Sequence, residues 1–329
     1  MRRAVFLGAA LLLAACSGRQ LGMPATLPVA PDAPLTRAEA SVSPDPVPER
    51  WWTLFDDPAL AKLVDEAVVA NRDVAVAEAN LRRALALVGV ERAAAFPTLG
   101  LSAGGGAVRP IGGPTGGGLQ GTADLSWEID LFGRVRSSIR AARADAAASD
   151  AALAGVRLSV IAATASAYAD ACGAARRKAV AEETLRLSRE TFALTETRLR
   201  VGTVSPLDTS RATAELESQA AAIPAIEADR QAALLRLAAL LGRPPSGIPT
   251  EADSCTRVPQ VSRLIPVGDG GALLARRPDV REAARTLEAA AARVGVAAAD
   301  LFPRITLAGT GSTTAGSFGD LGAAATTSF

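Results

Sequence analysis

Residues 119–138 read LQGTADLSWEIDLFGRVRSS, and they change period part-way along. From Leu119 to Leu131 the odd positions are Leu, Gly, Ala, Leu, Trp, Ile and Leu, and the even positions between them are Gln, Thr, Asp, Ser, Glu and Asp. Alternation of this kind gives a strand one apolar face and one polar, acidic face. After Phe132-Gly133-Arg134 the alternation stops and an Ala-rich stretch begins. A two-faced strand thus feeds almost directly into a helix.

Upstream, Pro97 forces an extended conformation on Phe96, and Leu99, Leu101 and Ala103 alternate with Thr98, Gly100 and Ser102 as a second strand. The Gly/Pro cluster from Gly104 to Gly118 reads as the loop of a hairpin over about 97–131. Before it, Asp57-Pro58 is a helix start, with Asp as cap and Pro at the first position. Leu60, Leu63, Val64 and Ala67 then recur at helical spacing, and a second helix runs from Asp73 to about Ala95.

Downstream, Val135 to Arg200 holds no proline and glycine only at Gly155 and Gly173, which would make one helix about 99 Å long. Ala142, Ala146, Ser149, Leu153, Val156, Val160, Ala163 and Ala167 step by four and three, a seven-residue repeat that asks for a partner along a narrow seam. Gly202 suits a left-handed C-cap, and Ser205-Pro206 with Asp208 starts a returning helix to about Leu241, bent at Pro224. A Pro/Gly-rich linker covers about 243–271.

The 329 residues are 49% hydrophobic but only 4% aromatic, net charge is +1, and there is no histidine. The charge carries no footprint for nucleic acid. Without the commonest general base and neutral metal ligand, an enzyme or metal centre is not expected, and no cofactor is implied. Arg2 and Arg3 precede a short apolar run, Ala4 to Ala15, too short to span a bilayer. Leu13 to Cys16, LAAC, resembles the lipobox of bacterial lipoproteins, which implies a signal peptide at 1–15 and acylation (palmitate among the chains) at Cys16. An ordinary signal peptide that happens to contain a cysteine is the alternative. Ser17 after the cysteine implies release to the outer membrane, and residues 16–50 read as a Pro-rich tether. No other apolar stretch resembles a membrane-spanning helix, so a membrane would be crossed by strands.

Shifted by 206 residues, the sequence matches itself. Asp73-Val74 falls on Asp279-Val280, Val88-Gly89-Val90 on Val294-Gly295-Val296 and Phe96-Pro97 on Phe302-Pro303, and 13 of the 29 positions from Asp73 to Leu101 are identical without a gap. Repeats at fixed offset are architectural signals. Residues 51–271 form a first repeat and 272–329 begin a second. The counterpart of the acidic strand would start near 325, so the second unit is expected to be incomplete, with three strands in all and the whole protein exceeding roughly 450 residues.

Cys16, the block WWTLFDDPALAKLVDEAVVANRDVAVAEANL, SWEIDLFGRVR, RVGTVSPLDTSRATAEL and ARRPDVREAARTLEAAAARVGVAAADLFP together resemble the outer-membrane factor family, TolC-like channels, in its lipoprotein NodT-type branch. The resemblance implies a mainly α fold with transmembrane β-strands, in which β-hairpins from three copies close a 12-stranded barrel and a long coiled-coil helical hairpin continues it as a periplasmic tunnel. It implies a homotrimer that meets a periplasmic adaptor protein and an inner-membrane RND pump, set in outer-membrane lipid, for passive export of drugs or other small molecules. The turn Val201-Gly202-Thr203 falls where the family meets its adaptor, with Thr in place of an apolar third residue. Asp124, Glu128 and Asp130 would face the lumen, as pore solvation or as a cation preference. Cys172 lies about 45 Å up the first helix from the tip and Cys255 follows the end of the second, about 53 Å up, so a disulfide or two buried thiols are both open. A periplasmic lipoprotein adaptor is the alternative function, but it would lack amphipathic barrel strands.

Overall fold

The computed structural model describes residues 42–43, 45–108, 111, 116–261, 263–315 and 325–328. The expected signal peptide, Cys16 and most of the expected tether lie outside the described residues. The chain divides into two compact units. One comprises Asn80–Ala151 and the described part of Asp279–Phe329, and the other Ala152–Pro278 with the described part of Val29–Ala79.

The first unit carries the sheet. β2 (Thr98–Val108), β3 (Gly116–Ile129), β5 (Ile305–Ala315) and β6 (Ala325–Ser328) pair in that order, each antiparallel to its neighbour. Two expectations are corrected here. The strands run into the glycine cluster at Gly104–Val108 and Gly116–Gly118, because paired backbone needs no side chain to extend a ladder. A fourth strand is also present, beginning at residue 325, the position the 206-residue offset gives. The repeat is structural as well as sequential: α2 (Arg72–Ala93) and α7 (Pro278–Ala299) are both 22 residues long, and β2 and β5 are both 11.

α3 (Arg134–Arg200) is a single helix of 67 residues, about 100 Å long. The expectation that no further stretch is membrane-length and apolar is overturned: α3 contains a window that meets both criteria by length and composition. Its sevenfold repeat holds, but one line of the expected seam moves. Ala146, Leu153, Val160 and Ala167 are buried, whereas Ala142, Ser149, Val156 and Ala163 are only half-buried. Further along the helix Thr164 and Ala171 are buried as well.

The second unit is a helical cluster. Asp57 Oδ1 accepts from the N–H groups of Ala59 (2.9 Å) and Leu60 (3.0 Å) and so caps α1 (Pro58–Ala70), whose Leu60, Leu63, Val64 and Ala67 are buried. Asn71, buried, accepts from Asp73 N at 2.9 Å to cap α2 and donates to the carbonyl of Leu240 at the end of α4 (Pro206–Leu240) at 2.9 Å. Gly242 follows with φ +65°, and a Cβ there would lie 2.6 Å from the Ala70 carbonyl oxygen. Only glycine fits both the conformation and the approach. α4 continues through Pro224. The linker is not featureless: it holds α5 (Thr250–Asp253), β4 (Ile265–Pro266) and the start of α6 (Gly270–Arg276), and β4 pairs in parallel with β1 (Val42–Ser43).

Candidate functional site

The register of the three long strands sorts the sheet into two faces. Leu99 pairs with Leu125 and Leu101 with Ala123, while Trp127 pairs with Leu307 and Ile129 with Ile305. On the other face Ser102 pairs with Thr122, and Asp124 stands between Gly100 and Thr310. The apolar face is uncovered. Leu99, Leu101, Leu125, Ile305 and Leu307 are all exposed, although burying such side chains is worth about 1.5–3 kcal/mol each. Nothing in the described chain supplies that burial.

Aromatic residues mark the end of the sheet where strand becomes helix. Trp127 Nε1 donates to the Ala95 carbonyl at 3.1 Å, and Phe132 stacks on Phe302 with centroids 4.6 Å apart. Gly133, at φ +81°, makes the turn. The acids behave unlike the expectation of three equivalent strand residues. Glu128 accepts both from Arg134 Nε, at 2.7 Å, and from Arg134 Nη2. Asp130 lies beyond the strand, where it accepts from the N–H groups of Val135 (3.1 Å) and Arg136 (3.0 Å) and from the Arg136 side chain. It is therefore the N-terminal cap of α3, satisfying orphan donors. Asp124 alone is exposed, with no hydrogen-bond or ion-pair partner among the described residues. The signal for the split was in the sequence: Asp130 stands at the end of the alternation, four residues before the helix begins at Arg134.

Within the second unit α3 and α4 form an antiparallel hairpin. Lys178 Nζ meets Glu227 at 2.8 Å, and Arg236 meets Asp170 at 3.5 Å. On α3, Ala174, Lys178, Ala181, Leu185, Ser188, Phe192, Thr195 and Leu199 follow each other in the four-three step and are all buried or half-buried. On α4, Thr209, Ala212, Leu216, Gln219, Ile223, Ile226, Arg230, Ala233 and Leu237 do the same and are likewise buried or half-buried. Each helix also carries a regularly spaced exposed line, a single sevenfold one on α3 and a four-three one on α4. Val180, Leu187 and Leu194 on α3, and Val201 just past its end, stand at intervals of seven, 52%, 49%, 52% and 69% exposed. Ala214, Ser218, Ala221, Ala225, Ala228 and Ala232 line α4, all exposed. These second seams were not read from the sequence, because alanine bias hides a seam that consists of alanine.

At the tip, Gly202 has φ +74°, its N–H donates to the Leu199 carbonyl at 3.0 Å, and Thr203 N donates to the Arg198 carbonyl at 2.9 Å. That is a Schellman close. Ser205 and Asp208 then form a capping box. Val201, Gly202 and Thr203 are all exposed, and a Cβ on Gly202 would meet nothing within 4 Å.

Cys172 and Cys255 are joined by a disulfide, with Cα atoms 5.1 Å apart. It ties α3 to the segment after α5, where Arg230 also meets Asp253 at 2.6 Å. The hydrogen bond from Lys178, then that from Gln231, hold the Glu227 carboxyl well below the usual carboxylate range, at about 2. Among the described residues no group of three or more His, Cys, Asp or Glu could hold a metal ion.

An exposed apolar sheet face, with aromatic residues where strand becomes helix, is the geometry of a sheet that faces a membrane. The chain matches the outer membrane efflux protein family over residues 63–243 and 271–329 and belongs to that family. Nodulation protein T of Rhizobium leguminosarum bv. trifolii is 33% identical over 275 residues, which cover 81% of this chain and 58% of that protein. The probable efflux pump outer membrane protein TtgC of Pseudomonas putida is 34% identical over 269 residues, 78% of this chain and 54% of that one. Among solved structures, the outer-membrane channel OprN superposes with a TM-score of 0.82 at 36% identity, covering 92% of this chain and 70% of that chain. The chain thus spans between half and three fifths of the length of these curated relatives.

Proposed function

We propose that the protein is the outer-membrane exit duct of a tripartite efflux pump, passing small molecules through a pore without chemistry of its own. The observation that carries the reading is the sheet: three strands in one continuous register, apolar and uncovered on one side, hydroxyl- and carboxylate-bearing on the other. Bilayer covers the first face and water the second. The outward seams on α3 and α4 support assembly as a homotrimer, since large residues at sevenfold spacing and a run of alanines offer knobs and shallow holes for neighbouring helices. The efflux name of the similar Pseudomonas protein supports the same reading.

In this proposal Cys16 carries the lipid anchor, and Val201-Gly202-Thr203 meets a periplasmic adaptor, which in turn joins an inner-membrane RND pump. Exposure of the tip and its closure by backbone bonds support the contact, because its side chains are free for a partner. In a strain deleted for the gene, restoring the protein should restore drug resistance. Gly202→Asp should fail to restore it, while trimers on mild gels remain. Loss of the trimers themselves would assign Gly202 to folding instead.

A further inference from the structure

We infer that the Cys172–Cys255 disulfide is a redox latch with one accessible half: thiol exchange enters and leaves at Cys255, and the bond holds closed the segment that follows it, not the hairpin. The inference goes beyond the duct reading and does not depend on the passage of any solute. It uses only the oxidising compartment in which an outer-membrane protein lies. The two sulfurs are placed unequally. Cys172 is fully buried, in a well-covered stretch of α3, beside Ala171 and one turn from the buried Tyr168. Cys255 is half-buried, two residues past the end of α5.

The bond also divides the linker. Before it, α5 is held by several contacts. Pro249 and Ala252 are buried, Lys62 pairs with Glu251, and Arg230 Nη2 donates at 2.6 Å to both a carboxylate oxygen and the carbonyl of Asp253. After it, Thr256 to Val261 form no helix or strand and make no backbone–backbone hydrogen bond with a described residue. Val258 is 42% exposed, and its Cγ2 lies 3.6 Å from where a Cβ on Gly173 would stand. Further on, Arg263 pairs with Asp56 at 3.2 Å with both side chains exposed, and such pairs hold little. A segment with so few bonds opens locally at low cost. The disulfide is what fixes its start on α3. The hairpin of α3 and α4 has its own seam, with Leu185, Ala233 and Leu237 buried.

Closing the latch takes two exchanges with a donor disulfide, carried by a thiol oxidoreductase of the periplasm. The Cys255 thiolate attacks one donor sulfur, forming a mixed disulfide and releasing the donor's first thiolate. The Cys172 thiolate then attacks the Cys255 sulfur and releases the second. The chain gives up two thiol protons and two electrons, and the donor takes up both as a dithiol. A dithiol reductant runs the same steps backward, attacking Cys255 and releasing Cys172, because Cys172 has no exposed surface.

The whole protein in detergent is treated with dithiothreitol and then briefly with trypsin, and the peptides are mapped by mass. Arg257 and Arg263 are exposed on the segment after the bond. Lys178 and Arg236, which meet Glu227 and Asp170 across the hairpin, report on the hairpin itself. Reduction should open cuts after Arg257 and Arg263 that the oxidised protein resists, while Lys178 and Arg236 stay uncut. Cys255→Ser should give the same cuts with no reductant. With glutathione disulfide as the probe, folded Cys172→Ser should take up glutathione on Cys255, and folded Cys255→Ser should take up none on Cys172. The latch is overturned if the reduced protein keeps its resistance at Arg257. It is overturned equally if Lys178 and Arg236 are cut as fast, which would make the bond a staple for the whole hairpin. Equal uptake of glutathione by the two variants would overturn entry at Cys255.

Discussion

α2 and α7 carry one sequence pattern, yet they are covered on different faces. Each has Val-Gly-Val at matching positions, 88–90 and 294–296. In α2 the valine is inside: Val88 is 7% exposed, and Glu91 accepts from the Ser138 hydroxyl of α3 at 2.6 Å. Gly89 beside it has nothing within 4 Å of a built Cβ. In α7 the glycine is inside: a Cβ on Gly295 would lie 3.0 Å from Ser137 Oγ of α3, and Arg293 meets Asp145 at 2.6 Å. Its Val294 is 56% exposed. The repeated helix is therefore built with two packing faces. The valine face meets the long helix of its own repeat, and the glycine face meets that of the repeat before. Each copy in this chain shows one face filled and one open.

Placing leucine at the two glycines is the strongest way to break this comparison. Gly295→Leu forces a side chain into a filled contact and should cost roughly 1–3 kcal/mol of stability by overpacking. Gly89→Leu meets open space, and it should raise the stability of the single chain by about 0.5–1 kcal/mol through helix propensity while blocking assembly of copies. Denaturant unfolding and size-exclusion of the same samples read both effects. Equal costs at the two sites would mean that the faces are not distinct.

A smaller effect sharpens the same contrast in the hairpin. Glu227 and Lys178 sit on the covered seam, whereas Glu183 and Arg186 pair at 2.6 Å on the open side. The folded state holds Glu227 at about 2, against an ordinary value of 4.5, mainly through the bond from Lys178. A depressed carboxylate adds stability above its unfolded pKa and loses it as pH falls through the folded one. The melting temperature should therefore drop between about pH 4.5 and 2, with Glu227→Gln flattening part of that slope. Glu183→Gln should change it little, since exposed pairs contribute little.

Much of this architecture is legible in the sequence because it rests on short-range rules. Asp57-Pro58, Gly202 and Ser205 declare their helix ends by local chemistry, and the period change at Phe132-Gly133-Arg134 places the junction. The 206-residue offset points to position 325, although the strand that stands there, β6, was not expected. What stayed hidden depends on partners distant in sequence. Nothing local to Asn71 foretells that the end of α4 accepts a hydrogen bond from it. Glu128 and Asp130 look like pore acids until the first turn of α3 claims them. The outward seam of α4 is invisible among alanines until burial separates its covered side from its open one.

The most direct measurement is a single-cysteine scan along β2 and β3 in outer-membrane vesicles, with each thiol probed by a lipid-borne quencher and by a membrane-impermeant reagent. Leu99, Leu101, Ala123, Leu125 and Trp127 should be reached from lipid, and Ser102, Gln120, Thr122, Asp124 and Ser126 from water, in strict alternation. Water access at the first set, or no period of two along β3, would contradict the account of the sheet as a barrel wall.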